Sequence, residues 1–436
     1  GGDQIIEKNN VGAFAQNRFD LGDLFLTAAV RIDGNSAFGE NYGFQVYPKA
    51  DVAYNLPFEG GFLSSAKLRA AIGMAGRAPG AFDQFQTYSP NTVLDDQAGV
   101  APDNPGNDAL EPENKVEYEI GADLGMFGNR LGVDVTYWNA KTQNALLDIA
   151  LPPSSGFNDA QKRNVGEILN QGVELALNGT IIDTEGLRWN VGTNLEWVNN
   201  EILDLGDTAL QDSLPIYSCA ENFGCTSPDP EGWEYHERLG GNWVGLPIGE
   251  IIGRQVIGWD ATTRDHIRST FGYLQGQAPP DQMASFFTDL SIGQSIRVSA
   301  QVRGEWGAAM SNSDRSYGTR QLAYDEYLSV ANPDGSSTPA SDSVLDRMRL
   351  ASPVDSRDNI RLQEVSLSYV IPSSLSGAIG LQRTTLTLAG YNLHWWDDCH
   401  CPDPNQNYQG GTDFGNSPFL GLPQPRRFLL SFKTRF

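Results

Sequence analysis

Residues 394–416, HWWDDCHCPDPNQNYQGGTDFGN, bring Asp397, Asp398, Cys399, His400 and Cys401 together in one short run. Oxygen, sulfur and nitrogen donors this close are the raw material of a metal site, and thiolates would select a soft ion. Such a site usually needs four ligands, and in an oxidising exterior cysteines pair instead. Cys219, Cys225, Cys399 and Cys401 all lie in polar, Pro/Asp-rich stretches. Disulfides are therefore expected, and a metal is not. Cys219 and Cys225 can close a local bridge. A Cys399–Cys401 bridge would be a small, strained ring, and pairing between segments 201–282 and 395–424 is the alternative.

Aromatic residues carry the second chemistry. Trp233, Trp243 and Tyr408 fall inside long polar segments, where a ring can stack on a ligand or pack locally. Trp395 and Trp396 stand where a strand pattern meets a loop, as do Tyr137 and Trp138. These four suit either an interfacial girdle at lipid headgroup depth or sugar stacking. The acidic stretches DDQAGVAPDNPGND (95–108) and NPDGSSTPASDS (332–343) offer oxygen ligands for Ca²⁺ but lack EF-hand spacing. No other cofactor is expected. The chain has four histidines and no G-x-S-x-G, H-E-x-x-H or P-loop, so catalysis finds no support and the protein is not read as an enzyme.

What positions these groups is a pattern of period two. Val116, Tyr118, Ile120, Ala122 and Leu124 share one face of a strand, against Glu117, Glu119 and Asp123. Leu131, Val133, Val135 and Tyr137 likewise oppose Asp134 and Thr136. Val365, Leu367, Tyr369 and Ile371 oppose Glu364, Ser366 and Ser368. At the end of the chain Phe428, Leu430, Phe432 and Phe436 oppose Arg427, Ser431, Lys433 and Arg435. Thirteen such strands are expected, near 10–20, 24–34, 43–56, 63–75, 114–126, 130–143, 164–180, 186–200, 283–292, 295–307, 358–372, 383–394 and 425–436. They exceed the usual globular length of about 5–6 residues and suit tilted membrane strands of about 9–11.

The connections alternate short and long, the arrangement of a transmembrane barrel with tight periplasmic turns and long outer loops. The fold class is therefore all-β, an antiparallel transmembrane β-barrel. With 436 residues, 40% hydrophobic, and a mean hydropathy of −0.36, the chain has no apolar run fit for a membrane helix. Its formal charge of −24, from 54 acids and 30 bases, argues against nucleic acid. An odd strand count does not close a bacterial single-chain barrel. The expectation is that residues 1–436 are the C-terminal part of one barrel domain, ending on the periplasmic side. Glu117, Glu119, Asp123, Asp134, Glu174, Arg297, Arg303 and Glu364 are expected to face the lumen and to pair with one another or with a plug.

Seven stretches, in order, resemble the SusC/RagA-type TonB-dependent transporters of bacterial outer membranes. They are VRIDGNSAFG (30–39), LEPENKVEYEIGADLGMFGNRLGVDVTYWNAKTQNALL (110–147), NVGEILNQGVELALNGTII (164–182), VGLPIGEIIG (244–253), IRLQEVSLSYVIP (360–372), AGYNLHWW (389–396) and PQPRRFLLSFKTRF (423–436). The resemblance implies a barrel of about 22 strands around an N-terminal plug, with the plug, the TonB box and the first strands outside this chain. It implies energy-coupled uptake of an oligosaccharide or peptide, with a SusD-like lipoprotein lid and TonB–ExbB–ExbD as partners. It also implies the outer membrane as the location, with extracellular loops and a periplasmic C-terminus. Phe432 and Phe436 resemble the terminal signal that the barrel-assembly machinery reads. The rival readings are a structural or adhesive surface barrel and a soluble β-rich carbohydrate-binding module.

Overall fold

The computed structural model describes residues 7–39, 43–57, 61–93, 97–149, 151–157, 160–206, 244–260, 265–312, 354–377, 380–399, 401–405 and 422–435. Thirteen long strands form one sheet, each paired antiparallel with its neighbours in chain order. They are β1 (Asn10–Leu21), β2 (Leu24–Asn35), β3 (Gln45–Leu56), β4 (Leu63–Arg77), β5 (Glu113–Met126), β6 (Leu131–Gln143), β7 (Glu167–Thr184), β8 (Leu187–Asp204), β9 (Gln282–Ile292), β10 (Ile296–Trp306), β11 (Asn359–Ile371), β12 (Gln382–Asp397) and β13 (Arg427–Arg435). β1 and β13 are the two edges of this sheet. All thirteen expected strands are present. β7 and β8, at 18 residues each, run beyond the expected bounds.

The long connections are less bare than the sequence suggests. Tyr88–Val93 pairs with Gln97–Pro102, Leu146–Ile149 with Gln161–Asn164, Glu250–Asp260 with Asp265–Gln277, and Ala309–Ser311 with Val354–Ser356. Each is a small hairpin or ladder standing on the wall. Among the described residues no helix is long and apolar enough to cross a membrane, which says nothing of a barrel.

The register shows what the wall is for. In a strand successive side chains point to opposite faces, so one line of cross-strand partners samples one face. The partners Leu21, Leu24, Tyr54, Leu68, Ala122, Val135, Leu175, Leu195, Ala284, Gly304, Ile360 and Trp396 run from β1 to β12 without a polar residue. A second line, Ile182, Trp189, Leu290, Val298, Leu367, Leu388 and Leu430, runs from β7 to β13. Thirteen strands at about 4.8 Å spacing make this apolar face on the order of 60 Å wide. Its side chains stand out from the sheet, Leu388 at 52% and Leu430 at 69% exposure. Patches on soluble monomers rarely exceed a few hundred Å². A face of this extent needs hydrocarbon against it.

The opposite face is mainly polar from β4 to β12. Lys67, Asp123, Asp134, Ala176, Asn194, Ser285, Arg303, Arg361 and Trp395 are successive partners from β4 to β12.

Candidate functional site

The polar face holds two organised clusters. The first lies on β4, β5 and β6. Asp123 accepts from Lys67 Nζ (2.6 Å) and Arg69 Nε (3.0 Å), and Arg69 Nη2 donates to both Asp134 Oδ1 and Thr136 Oγ1 at 2.6 Å. Arg69 reaches Asp134 by crossing β5 over Gly121. A Cβ at position 121 would stand 2.8 Å from the guanidinium carbon, so the network needs glycine there. Gly121→Val is expected to dislodge Arg69 and cost about 1–3 kcal/mol, the usual range for overpacking, read as a lower urea midpoint for the folded barrel in lipid vesicles.

Other charges find partners outside the expected set rather than one another: Arg297 pairs with Asp289 at 2.5 Å, Arg303 with Glu305 at 2.8 Å, and Glu117 with Lys115 at 2.6 Å, each a short-range neighbour on the same or the adjacent strand. For Glu174 and Glu364 no ion pair with another described residue is seen.

The adjacent aromatics divide between the faces. Tyr137 joins Tyr118 on the apolar side, ring centroids 6.4 Å apart. Trp138 belongs to the polar side and lies over Gly172, where a Cβ would meet the indole at 2.8 Å. The two cannot serve one girdle, because consecutive residues of a strand point opposite ways. Trp396 stands on the apolar side, edge-on to His394 at 4.6 Å. Trp395 stands on the polar side, its ring 5.1 Å from the Arg361 guanidinium carbon.

The second cluster lies where β11 begins and β12 ends. Arg361 and Asp403 are almost fully buried, with side chains 5% and 0% exposed. Arg361 Nη2 donates to Asp403 Oδ1 at 2.5 Å, and Nη1 to Asn392 Oδ1 at 2.6 Å. Asp403 Oδ1 accepts the Asn405 N–H (3.0 Å) and Oδ2 the Gln424 N–H (3.2 Å). Arg357 lies just outside the wall strand. It donates Nε to the Pro404 carbonyl (2.9 Å) and Nη1 to the Ala278 carbonyl (3.1 Å). Burial lowers its guanidinium below the ordinary value, the nearby Glu305 carboxylate opposing, and a guanidinium remains charged at any working pH.

Neither arginine–loop contact was expected from sequence. From Glu364 inward, regular alternation sends Arg361 to the apolar side. A bulge between Leu362 and Glu364 reverses the order, because an extra residue re-aims the side chains beyond it. The available signal was the misfit itself: an arginine on a hydrocarbon-facing position is costly.

Cys399 and Cys401 are joined to each other, with Cα atoms 5.2 Å apart. That separation is ordinary for a disulfide, so the local bridge forms where pairing between loops was the alternative. Trp233, Trp243, Tyr408, Cys219, Cys225, His400, Phe436 and the stretch 332–343 lie outside the described residues. Within 95–108, Gln97–Pro102 is a strand, and Asn104 Nδ2 donates to the Phe82 and Phe85 carbonyls at 2.8 and 2.9 Å.

Glu250, at the foot of the 250–277 hairpin, is 9% exposed and accepts the Gly276 N–H at 3.2 Å. Burial pushes its carboxyl pKa up, partly offset by that hydrogen bond. A raised folded-state pKa gives stability that is full below the unfolded value and lost as pH rises through the folded one. The hairpin foot is therefore expected to loosen as pH rises through the upper carboxylate range. Glu250→Gln is expected to abolish that dependence, as measured by hydrogen exchange at Gly276 corrected for intrinsic rate.

The model of the family described as "TonB dependent receptor-like, beta-barrel" matches residues 2–303, more than half of the chain. The chain belongs to this family. TonB-dependent receptors of this kind are outer-membrane proteins and not enzymes. The TonB-dependent receptor P26 of Formosa agariphila is 27% identical over 454 residues, covering 94% of this chain and 44% of that protein. The TonB-dependent receptor SusC of Bacteroides thetaiotaomicron is 25% identical over 211 residues, covering 45% of this chain and 21% of that protein. The RagAB peptide importer in its closed-closed state superposes with a TM-score of 0.74 at 20% identity, covering 97% of this chain and 47% of that one. That likeness is one of fold. The receptor chain spans about half the length of the relatives it matches along nearly all its sequence.

Proposed function

We propose that residues 1–436 supply the C-terminal wall and outer mouth of a SusC/RagA-like nutrient transporter of the outer membrane. The observation that carries this reading is the sheet with one unbroken apolar face and one charged face, in a chain of the TonB-dependent receptor family. The apolar face meets lipid. The polar face lines the lumen, and a plug and further strands outside this chain complete the barrel. The resemblance of the seven sequence stretches to SusC/RagA-type transporters and the fold shared with a peptide importer support an oligosaccharide or a peptide as substrate. In this reading TonB–ExbB–ExbD acts through the plug, and a SusD-like lipoprotein covers the mouth. The hairpin-bearing loops face outward, and the C-terminus is periplasmic, with Phe432 and Phe436 as its assembly signal. Trp395, on the luminal side, contacts ligand, as do Trp233, Trp243 and Tyr408 of the loops. Trp396 stands at the lipid interface. The reading needs no cofactor.

Deletion of the gene in its native host tests it. Uptake of fluorescent oligosaccharides or oligopeptides is expected to fall, and to fall equally when TonB is removed. Unchanged uptake of both classes, with altered surface adhesion, would replace transport by the adhesive reading.

A further inference from the structure

Arg361 reaches the lumen only because β11 carries a bulge, and once there it is buried almost completely. Its two Nη atoms are committed to Asp403 and Asn392, and its Nε has no hydrogen-bond partner. The guanidinium lies against the indole of Trp395, and an arginine held in this way fixes a ring more firmly than a lysine can. Asp403 in turn serves three groups. One is Arg361 on the wall, one is Asn405 on the outgoing leg of the 398–426 loop, and one is Gln424 on the returning leg. Asn392, at φ 53°, holds the returning leg a second time by donating Nδ2 to the Gln424 carbonyl at 2.7 Å. The carboxylate is presented from Pro402-Asp403-Pro404, a backbone with little freedom, directly after the Cys399–Cys401 bridge. An apolar pair of the same size is often as stable as a buried ion pair. Orientation is what the charged pair adds at this place.

We propose that Arg361 and Asp403 are positioning residues of the mouth. They hold the Trp395 indole in one orientation toward the lumen and tie both legs of the 398–426 loop to it. The inference rests on Trp395 as a ligand contact and adds the device that aims it.

The test uses the complete receptor in detergent or bilayer, labelled with 5-fluorotryptophan. The Trp395 ¹⁹F resonance is assigned by its absence in Trp395→Phe. In Asp403→Asn, and in Arg361→Lys, which keeps the charge but loses the planar fork, this resonance is expected to shift and broaden. Those of Trp189 and Trp197 on the apolar face stay in place, and Asp398→Asn leaves all of them unchanged. Affinity for the fluorescent oligosaccharide or peptide that the wild type takes up is expected to fall about tenfold in either variant, about 1.4 kcal/mol. An unmoved Trp395 resonance in both variants overturns the inference, even if Trp395→Ala weakens binding. A moved resonance with binding indifferent to Trp395→Ala upholds the clamp and removes Trp395 from the ligand site. If Asp403→Asn does not assemble, Arg361→Lys alone decides between these results.

Discussion

Leu388→Arg is expected to block stable insertion of the barrel, while Thr387→Arg, one residue away, is tolerated. Leu388 lies near the middle of β12, between Leu367 and Leu430 on the apolar face. An arginine on the lipid side of a barrel strand costs about 2–4 kcal/mol at the bilayer midplane, a large share of a marginal stability of about 5–15 kcal/mol. Thr387 points the other way. Its partners are Ser368 and Ser431, and its hydroxyl lies 2.9 Å from that of Ser368. An added cation there meets water among hydroxyl side chains. The fraction of heat-modifiable, folded receptor in isolated outer membranes measures both variants. Equal loss from the two would mean that the faces are not divided between lipid and water.

Asp403→Leu is expected to have an effect at least as large. It leaves Arg361 buried without its carboxylate, and breaking a buried pair by removing one partner costs about 3–5 kcal/mol. It also removes the acceptor for the Asn405 and Gln424 amides. The double variant Arg361→Met/Asp403→Leu separates these terms. Without a stranded charge most of the stability returns, but the two amides remain unprotected. Hydrogen exchange together with denaturant unfolding in vesicles shows whether they part in this way. Identical losses in the single and double variants would mean that the buried charge is not what the carboxylate answers.

The wall was legible in the sequence because its signal is repeated. Alternation in 116–124, 131–137 and 365–371 names the faces of three strands, and the short and long connections order the rest. The ends of β7 and β8 were not legible, since a bulge between Thr180 and Ile182 breaks the alternation of β7 and the run Glu201–Asp204 of β8 has no period of two. The small hairpins in the long connections were missed for a related reason. Pairs such as Leu146–Ile149 with Gln161–Asn164 are too short to show a period. The mouth was only half legible. Trp395 and Cys401 announce themselves by type, whereas the buried Arg361 and Asp403 depend on a single-residue bulge and on a contact between positions 42 residues apart. Gly121 and Gly172 carried no signal in the sequence. Their reason is the side chain that crosses each of them, Arg69 and Trp138.

One face of this sheet is expected to meet lipid and the other to line an aqueous lumen. Nitroxide labels placed singly at 386, 388, 430 and 432, and at 385, 387, 431 and 433, test it in the receptor reconstituted into bilayers. Collisions with molecular oxygen, which partitions into lipid, should dominate in the first set. Collisions with a water-soluble nickel chelate should dominate in the second. Alternation with that parity is the result predicted from the register of β12 and β13. The same accessibility at both sets, or the opposite parity, would contradict it.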